Sequence, residues 1–401
     1  MYYKIEINTL CLVINNWMKG NRIVEKESLY ERIVWVDCLK LFACLAVFVD
    51  HTYGLLYSNS YILYASYYSV PVFIFLSGMT GYASNRKHVS ERYKDDIKRK
   101  LLRILIPYAI ATAMYVLYTH RIFDLKIYIL SLLQFDISAP FYFLVFYIQL
   151  VMIGRGLYKL IQWTGKRTYF PWIYLFEIFV FVLFAALMMR YTYVLPVHGG
   201  GKYLFGGTYL VVYFLGMIFG KYCKRLVWGG KLSCIVCACS IALSVLWVIF
   251  MVKDQFQIDG RLMYFGAVNP PGFTLVLYTG MIILAGWSLD GAIRSSQNII
   301  LNKLWKWISR GGKYSLYVYL FHLLFLSIFQ RKGGYIQNIW MKRIACSLFV
   351  FGGCCIIGVM IEAGMKKYIR SEEQYGKNKK VENLSNGYWN RVSDGYRDTA
   401  E

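Results

Sequence analysis

The dominant pattern along the chain is a series of long apolar runs separated by short polar segments. A helix that crosses a bilayer needs about 20 predominantly apolar residues, and ten runs approach this length. The runs lack the period-two alternation of barrel strands, so only helices fit them. We therefore predict an all-α fold, a polytopic transmembrane helix bundle of about ten spans, at residues 33–57, 61–83, 101–119, 141–161, 171–190, 203–220, 232–252, 272–288, 314–329 and 341–365.

Basic residues alternate between the segments that join these spans. If the N-terminus is cytoplasmic, 34 of the 45 Lys and Arg residues fall on the cytoplasmic side and ten on the opposite side. This distribution obeys the positive-inside rule. It predicts cytoplasmic N- and C-termini, and it explains most of the net charge of +23 without a nucleic-acid partner.

The composition supports a protein embedded in membrane lipid. Apolar residues make up 58% of the chain and charged residues only 17%, whereas soluble domains carry about a quarter charged residues. We predict a cytoplasmic N-terminal extension at 1–31, a transmembrane domain at 32–368 and a polar, disordered cytoplasmic tail at 369–401. The N-terminal run is not expected to be a signal peptide, because no small-residue cleavage site follows it.

The ten cysteines lie mostly inside apolar runs. Cys234, Cys237 and Cys239 have CxxC-like spacing, but no second Cys or His pair with zinc-finger spacing follows. We interpret these cysteines as small side chains that suit a membrane helix, and we predict no metal site.

The first predicted span contains four ionisable residues, in the stretch DCLKLFACLAVFVDH at 37–51. Lys40 and His51 are eleven residues apart, so they point to nearly the same helix face, ~16 Å apart along the axis. Asp37 lies three residues before Lys40 and can pair with it. In a purely structural explanation, Lys40 extends to the interface and Asp37 neutralises it. Four such residues on one helix favour a functional site, because intramembrane charges usually mark sites or pathways.

His51 is the natural general base of this group. Imidazole titrates near neutral pH, which suits removal of a proton from a hydroxyl whose oxygen then attacks an acyl carbonyl. We predict that His51 is catalytic. Asp50 points about 100° away around the helix, so no Asp50–His51 dyad is predicted and the role of Asp50 stays open.

A second basic group, KRKLLR at 98–103, stands at the start of the third span. Lys100 and Arg103 share a helix face at the membrane boundary, which suits a phosphate-rich ligand from the cytoplasm. Positive-inside charge and contact with anionic lipid are the simpler explanation, and composition alone favours it.

Several segments, taken in order, resemble the acyltransferase 3 family of membrane proteins. Lys40 and His51 match an Arg-x10-His motif with Lys in the first position, and VPVFIFLSGMTGY at 70–82 resembles the second helix of the family. KRKLLRILIPY at 98–108 resembles its basic motif, and APFYFLVFYIQL at 139–150 resembles its Trp-Phe-Leu helix, with Tyr142 in place of Trp. GGKYSLYVYLFHLLF at 311–325 resembles a late Ser-x-x-x-Tyr-Leu-x-His segment.

The resemblance implies a membrane O-acyltransferase of the bacterial cell membrane. Such an enzyme moves an acyl group, expected to be acetyl, from cytoplasmic acyl-CoA to a hydroxyl of an extracytoplasmic carbohydrate, and it holds no bound cofactor. The phosphates of acyl-CoA would bind Arg99, Lys100 and Arg103. Its pantetheine arm would pass Lys40, where Lys makes a point-charge contact in place of the bidentate Arg grip. The thioester would reach His51.

Three further residues are expected to support the site. Glu177 is a carboxylate inside an apolar run, and His322 lies within the ninth span. Tyr142 stands where the Trp-Phe-Leu helix of the family has Trp. One alternative function remains, a polysaccharide exporter or flippase built on the same helix bundle. A transporter needs no Lys40–His51 pair, which favours the enzyme. The acceptor, the acyl length, O- versus N-acylation and the oligomeric state stay open.

Overall fold

The computed structural model describes residues 33–87, 93–167, 172–191, 197, 199–223, 228–253 and 269–367. Within these ranges the secondary structure is helical and no strand is present, which confirms the predicted all-α class. The predicted extension at 1–31 and the predicted tail at 369–401 lie outside the described residues.

The chain divides into two compact units, the first ending at Tyr319 and the second beginning at Leu320. Across the described ranges we number the α-helices α1 (Val34–His51), α2 (Ser60–Ser66), α3 (Ser69–Lys87), α4 (Tyr93–His120), α5 (Leu125–Gln134), α6 (Tyr142–Arg167), α7 (Trp172–Tyr191), α8 (Tyr209–Tyr222), α9 (Gly230–Val252), α10 (Phe273–Ser295), α11 (Ile299–Gly311), α12 (Ser315–Lys332) and α13 (Ile339–Lys367). Short 3₁₀ turns include Ala139–Phe141, Gly199–Lys202, Leu204–Gly206 and Gly312–Tyr314.

Stretches long and apolar enough to cross a membrane occur throughout the described chain. There are eight of them: Ser60–Arg86, Ile97–His120, Ala139–Gly165, Trp172–Tyr191, Gly230–Val252, Phe273–Ser295, Ile299–Lys332 and Ile339–Lys367. The predicted count of ten and the predicted orientation are not confirmed. Helix α1 falls outside the eight because its 18 residues include three charged ones, Asp37, Lys40 and Asp50. Helix α8 falls outside them because it has only 14 residues.

Two helices occupy stretches that the apolar pattern assigned to connecting segments. The side chain of Asp124 caps α5 by accepting from the backbone N–H groups of Lys126 and Ile127, at 2.8 and 3.1 Å. The side chain of Asn298 caps α11 in the same way. Such caps satisfy N–H groups that the first helical turn leaves unpaired. A local signal for both helices was therefore present in the sequence.

Helix α1 is buried at the centre of a hydrophobic cluster. Its Trp35, Cys38, Leu39 and Ala43 are all less than 5% exposed. They pack in one cluster with side chains of α3, α10 and α11, including Val72, Leu76, Ile283 and Trp305. Helix α7, by contrast, leaves large apolar side chains exposed, among them Phe176, Phe179 and Leu183. The charged helix is therefore held inside the protein, while α7 presents apolar surface outward.

Glycines bring α3 and α8 into backbone contact. A Cβ atom at Gly78 would lie 2.1 Å from the carbonyl oxygen of Tyr213, and one at Gly216 would lie 2.1 Å from that of Phe75. Small residues allow this close approach, which is a usual basis of helix packing in membranes.

The second unit contains the remainder of α12 and all of α13. Phe325 and Phe349 meet edge to face, with ring centroids 5.7 Å apart, and Phe329 lies 6.0 Å from Phe349. Gly353 lies against the Phe325 ring, since a Cβ there would be 2.5 Å from it. Helix α13 is otherwise largely exposed and apolar, for example at Leu348.

Candidate active site

The N-terminal part of α1 carries an ion pair. Lys40 Nζ lies 3.5 Å from Asp37 Oδ1, and the two side chains are 30% and 11% exposed. This is the contact that the three-residue spacing predicts. Gly312 packs on the backbone at the same turn, because a Cβ there would lie 2.0 Å from the carbonyl oxygen of Asp37. The pair is thus supported from one side by the turn that precedes α12.

A second buried carboxylate, Asp290, lies close to this pair and was not predicted. Asp290 is 2% exposed. It accepts a hydrogen bond from Trp305 Nε1 at 2.8 Å and forms an ion pair with Arg294. The thiol of Cys38 donates to the Trp305 carbonyl at 3.5 Å, which links this group to α1. The four-residue spacing of Asp290 and Arg294 was the signal available in the sequence.

The C-terminal end of α1 is fixed by a compact turn. The Thr52 hydroxyl donates to the carbonyl oxygens of Phe48 and Val49, at 2.9 and 3.1 Å. The Tyr57 hydroxyl donates to Val49 O at 2.5 Å. Gly54 has a φ of +79°, a conformation that glycine adopts readily, and its N–H donates to Tyr57 O at 2.8 Å. The helix end that bears Asp50 and His51 is therefore anchored.

Four tyrosines lie around this end of α1, and we call them the tyrosine rim: Tyr53, Tyr57, Tyr67 and Tyr142. The Asp50 carboxylate interacts electrostatically with His51 and with the hydroxyls of Tyr57, Tyr67 and Tyr142. Tyr53 meets Tyr57 edge to face, with ring centroids 5.7 Å apart. The structure thus brings Tyr142 of α6 to the His51 end of α1.

Tyr142 belongs to a further group of aromatic residues. The hydroxyls of Tyr142 and Tyr209 are close enough to interact, and Tyr209 donates to Asn269 Oδ1 at 3.3 Å. The Tyr319 hydroxyl donates to Pro140 O at 2.8 Å, just before Tyr142. The Tyr142 side chain is partly exposed.

The basic residues of KRKLLR differ in exposure. Lys100 Nζ donates to Ser84 Oγ of α3 at 2.7 Å and is half-buried. Arg99 and Arg103 are exposed, and their spacing of four places them on one face of α4. Lys100, three residues before Arg103, differs from the two arginines in that its ammonium group contacts Ser84.

Glu177 lies in a polar group between α6, α7 and α8. We call this group the lysine cluster: Thr164, Tyr174, Glu177, Lys221 and Tyr222. The Thr164 hydroxyl donates to Glu177 Oε1 at 2.5 Å. Lys221 Nζ donates to Tyr174 Oη at 2.7 Å and to the Ile161 carbonyl at 3.2 Å. Tyr222 donates to the same Tyr174 oxygen at 3.2 Å.

The sequence predicts a role for Glu177 but none for Lys221, because Lys221 is assigned there to a connecting segment. The absence of a side chain at Gly165 leaves room for the ammonium group, because a Cβ there would lie 2.1 Å from Nζ. The Lys221 ammonium also lies 5.3 Å from the ring centre of Tyr174. Only the fold reveals that this lysine turns into the bundle.

The other residues named in the sequence analysis, His322 and the three closely spaced cysteines, lie outside these groups. His322 is fully buried and belongs to the second unit. Cys237 is buried, whereas Cys234 and Cys239 are exposed. Across the described part of the chain, no group of three His, Cys, Asp or Glu side chains could hold a metal ion. The functional roles of all the predicted site residues stay predictions.

The helices and their apolar surfaces define a multi-pass integral membrane protein. The family model described as an acyltransferase domain matches residues 33–359, nearly the whole chain. The chain therefore belongs to the acyltransferase 3 family of membrane acyltransferases, and the predicted resemblance is confirmed. Searches of curated proteins and of solved structures found no match.

Proposed function

We propose that the protein is an O-acyltransferase that moves an acyl group, acetyl in the first instance, from cytoplasmic acyl-CoA to a hydroxyl of an extracytoplasmic carbohydrate. The observation that carries this proposal is α1 itself. It is a buried helix with a cation paired near its start and a histidine at its anchored end. Because the chain belongs to an acyltransferase family, we assign this helix to an acyl-transfer reaction.

The donor would bind along α1. Arg99, Lys100 and Arg103 provide positive charge for the phosphates of CoA, with the two arginines exposed. Lys40, held by Asp37, then contacts the pantetheine arm. From Lys40 to His51 the helix rises ~16 Å, which is of the order of the length of that arm when extended.

The chemistry requires one proton transfer to His51. The imidazole nitrogen takes the proton of the acceptor hydroxyl while its oxygen attacks the thioester carbonyl carbon. The tetrahedral intermediate collapses, the C–S bond breaks, and the proton passes to the departing CoA thiolate. The products are an ester on the acceptor and free CoA. No bound cofactor enters this scheme.

The proposed orientation places both termini in the cytoplasm and the His51 end of α1 toward the outside of a bacterial cell membrane. The 34-to-ten excess of Lys and Arg on the segments assigned to the cytoplasm supports this orientation. The partners are then membrane lipid, acyl-CoA and a carbohydrate, with no nucleic acid.

The test uses membranes from cells that produce the protein. They are incubated with acetyl-CoA labelled in the acetyl group, and label that mild base releases from carbohydrate is counted. Mild base cleaves esters and leaves amides intact, so the readout separates O- from N-acylation. Replacing His51 with Ala should lower ester formation at least ~100-fold, the usual contribution of a general base.

His120→Ala is the matched control, because His120 is an exposed histidine at the end of α4. It should leave ester formation unchanged. Normal ester formation by correctly inserted His51→Ala protein would overturn the role of His51. Carbohydrate that reaches the outside without ever carrying label would favour the exporter or flippase instead.

A further inference from the structure

Asp50 differs from the other acidic residues of the first unit that lie within the bundle. Asp37 pairs with Lys40, Asp290 pairs with Trp305 and Arg294, and Glu177 accepts from Thr164. Asp50 is half-buried, yet no side chain or backbone N–H among the described residues donates a hydrogen bond to its carboxylate. A half-buried carboxylate that has no protein donors keeps its hydrogen-bonding capacity for water or for a ligand that reaches it.

We propose that the Asp50 carboxylate binds the acceptor, taking hydrogen bonds from hydroxyls that neighbour the one deprotonated by His51. This inference rests on the proposed function. It makes Asp50 a residue that positions the acceptor, and it assigns the tyrosine rim to the same site. The acceptor surface that it recognises is a neutral polyol.

The rim provides the aromatic surface that such a ligand needs. Tyr53 is 43% exposed, and Tyr57 and Tyr67 are partly exposed. Their mutual packing holds them, since Tyr53 meets Tyr57 at 5.7 Å and Tyr64 meets Tyr67 at 5.2 Å between ring centroids. A sugar ring presents C–H groups on its faces and hydroxyls at its edge. Aromatic side chains suit the faces, and a carboxylate suits the edge.

The geometry of α1 lets one ligand reach both Asp50 and His51. Adjacent helical residues point about 100° apart, so the two side chains cannot act in line as a dyad. A ligand placed against the helix end can still present one hydroxyl to the imidazole and a neighbouring hydroxyl to the carboxylate. Tyr57 contributes indirectly, because its hydroxyl is engaged with Val49 O and holds this end of the helix.

The charge of the group narrows the acceptor class. A carboxylate accepts strong hydrogen bonds from hydroxyls but repels another anion in a poorly solvated site. We therefore infer that the part of the acceptor next to the acylated hydroxyl carries free hydroxyls and no uronate or phosphate. Acidic carbohydrates remain compatible only if their charge lies on other sugar units.

The test measures acceptor and donor kinetics separately. The acceptor is the envelope carbohydrate of the producing cells, stripped of esters by mild base, and the donor is labelled acetyl-CoA. Asp50→Asn should raise the KM for the carbohydrate roughly 10- to 100-fold, as expected for loss of a hydrogen bond to a charged group. The KM for acetyl-CoA should change less than about twofold, and Asp50→Glu should recover part of the loss.

Asp136→Asn is the matched control, because Asp136 is exposed in the connection between α5 and α6. It should leave both KM values unchanged. A fall in kcat with an unchanged carbohydrate KM would overturn the proposal, since Asp50 would then act only through His51. An unchanged Asp50→Asn enzyme would overturn it as well. If the wild type itself transfers no label, the proposed function has failed, which is a separate outcome.

A second measurement needs no variant. Carboxylates of the wild-type protein are modified with a carbodiimide and an amine, and the modified residues are identified by mass spectrometry. The stripped carbohydrate should slow modification of Asp50 and leave that of Asp136 unchanged. Equal modification of Asp50 with and without saturating carbohydrate would contradict acceptor binding there.

Discussion

The tyrosine rim with Asp50 and the lysine cluster are both polar regions of an apolar bundle, but they differ in how their polar atoms are paired. In the lysine cluster, Lys221 has two acceptors and Tyr174 accepts from both Lys221 and Tyr222. In the rim, Asp50 accepts no hydrogen bond from the described residues. Paired polar groups rigidify a core, whereas a half-buried carboxylate without protein donors stays available to a ligand.

The comparison teaches that polarity inside a membrane protein is not by itself a sign of a site. Lys221 is a cation between helices, yet its contacts explain it as a structural connection of α6, α7 and α8. The lysine cluster has one exception, since Glu177 Oε2 is buried with no hydrogen-bond partner among the described residues. Helix α8 joins the two regions, because it bears Tyr209 near the rim and Lys221 in the cluster.

The change with the largest expected effect would disturb both regions at once. In Gly216→Ala, the new Cβ would lie 2.1 Å from the Phe75 carbonyl oxygen, so α3 and α8 must separate. Overpacking of this kind costs up to about 3 kcal/mol or more of unfolding free energy. We expect a clear fall in Tm, measured by thermal unfolding in detergent, together with loss of acyl transfer.

Gly280→Ala in α10 is the matched control for that change, since nothing lies within 4 Å of its Cβ position. Alanine is the better helix former by about 0.5–1 kcal/mol, so Tm should stay the same or rise slightly. Equal Tm values for the two variants would show that the glycine contact between α3 and α8 is not tight.

The next change would separate the two regions. Lys221→Met removes the lysine donor to the Ile161 carbonyl and one of the two donors to Tyr174 Oη, and a hydrogen bond from a charged group contributes about 1.5–3 kcal/mol. Tm should fall, while kcat per folded molecule stays near the wild-type value. Asp50→Asn should give the opposite result, with Tm kept and acceptor binding lost.

Measuring both Tm and the KM for the acceptor in Lys221→Met and in Asp50→Asn tests this distinction. If Lys221→Met keeps its Tm but loses transfer, the lysine cluster is part of the reaction path and the distinction between the regions collapses. If both variants lose Tm equally, Asp50 is a structural residue.

The smallest expected effect concerns the other end of α1. Lys40→Ala leaves Asp37 without its ion-pair partner and removes the proposed contact to the donor. We expect the KM for acetyl-CoA to rise roughly 10-fold, the scale of one charge-assisted hydrogen bond, with the acceptor KM unchanged. Lys40→Arg keeps the charge and should stay within a few-fold of the wild type.

A higher KM for acetyl-CoA with an unchanged acceptor KM would assign the start of α1 to donor binding and its end to acceptor binding. A change in acceptor KM for Lys40→Ala, with donor KM untouched, would reverse the assignment. The same steady-state assay with both substrates varied distinguishes these results.

Much of the fold follows from the apolar pattern, and its failures have physical causes. Periodicity and length identify long buried helices, so the all-α class and most spans were predictable. The pattern missed α5 and α11 because both are short and rely on side-chain caps at Asp124 and Asn298. The eight stretches that are long and apolar enough to span do not include α1, which is charged and protein-enclosed, or α8, which is short, so the predicted count of ten stays unconfirmed.

Within the candidate site, the spacing of residues along the sequence predicts contacts between residues of the same helix. The Asp37–Lys40 pair follows from residues three apart on one helix. The contacts of Lys221 with Tyr174 and the approach of Tyr142 to Asp50 join residues far apart in the chain, so no spacing could show them. The lack of a hydrogen-bond donor to Asp50 among the described residues is likewise visible only once its neighbours are known.

The backbone contact between α3 and α8 also limits which substitutions related sequences can carry. Gly78 faces the carbonyl of Tyr213, and Gly216 faces that of Phe75, so the two glycines meet their partner helices from opposite sides of one crossing. Neither can gain a side chain while the other keeps the helices together. We expect related sequences that keep this crossing to retain both glycines as a unit, and sequences that lose one to lose the other.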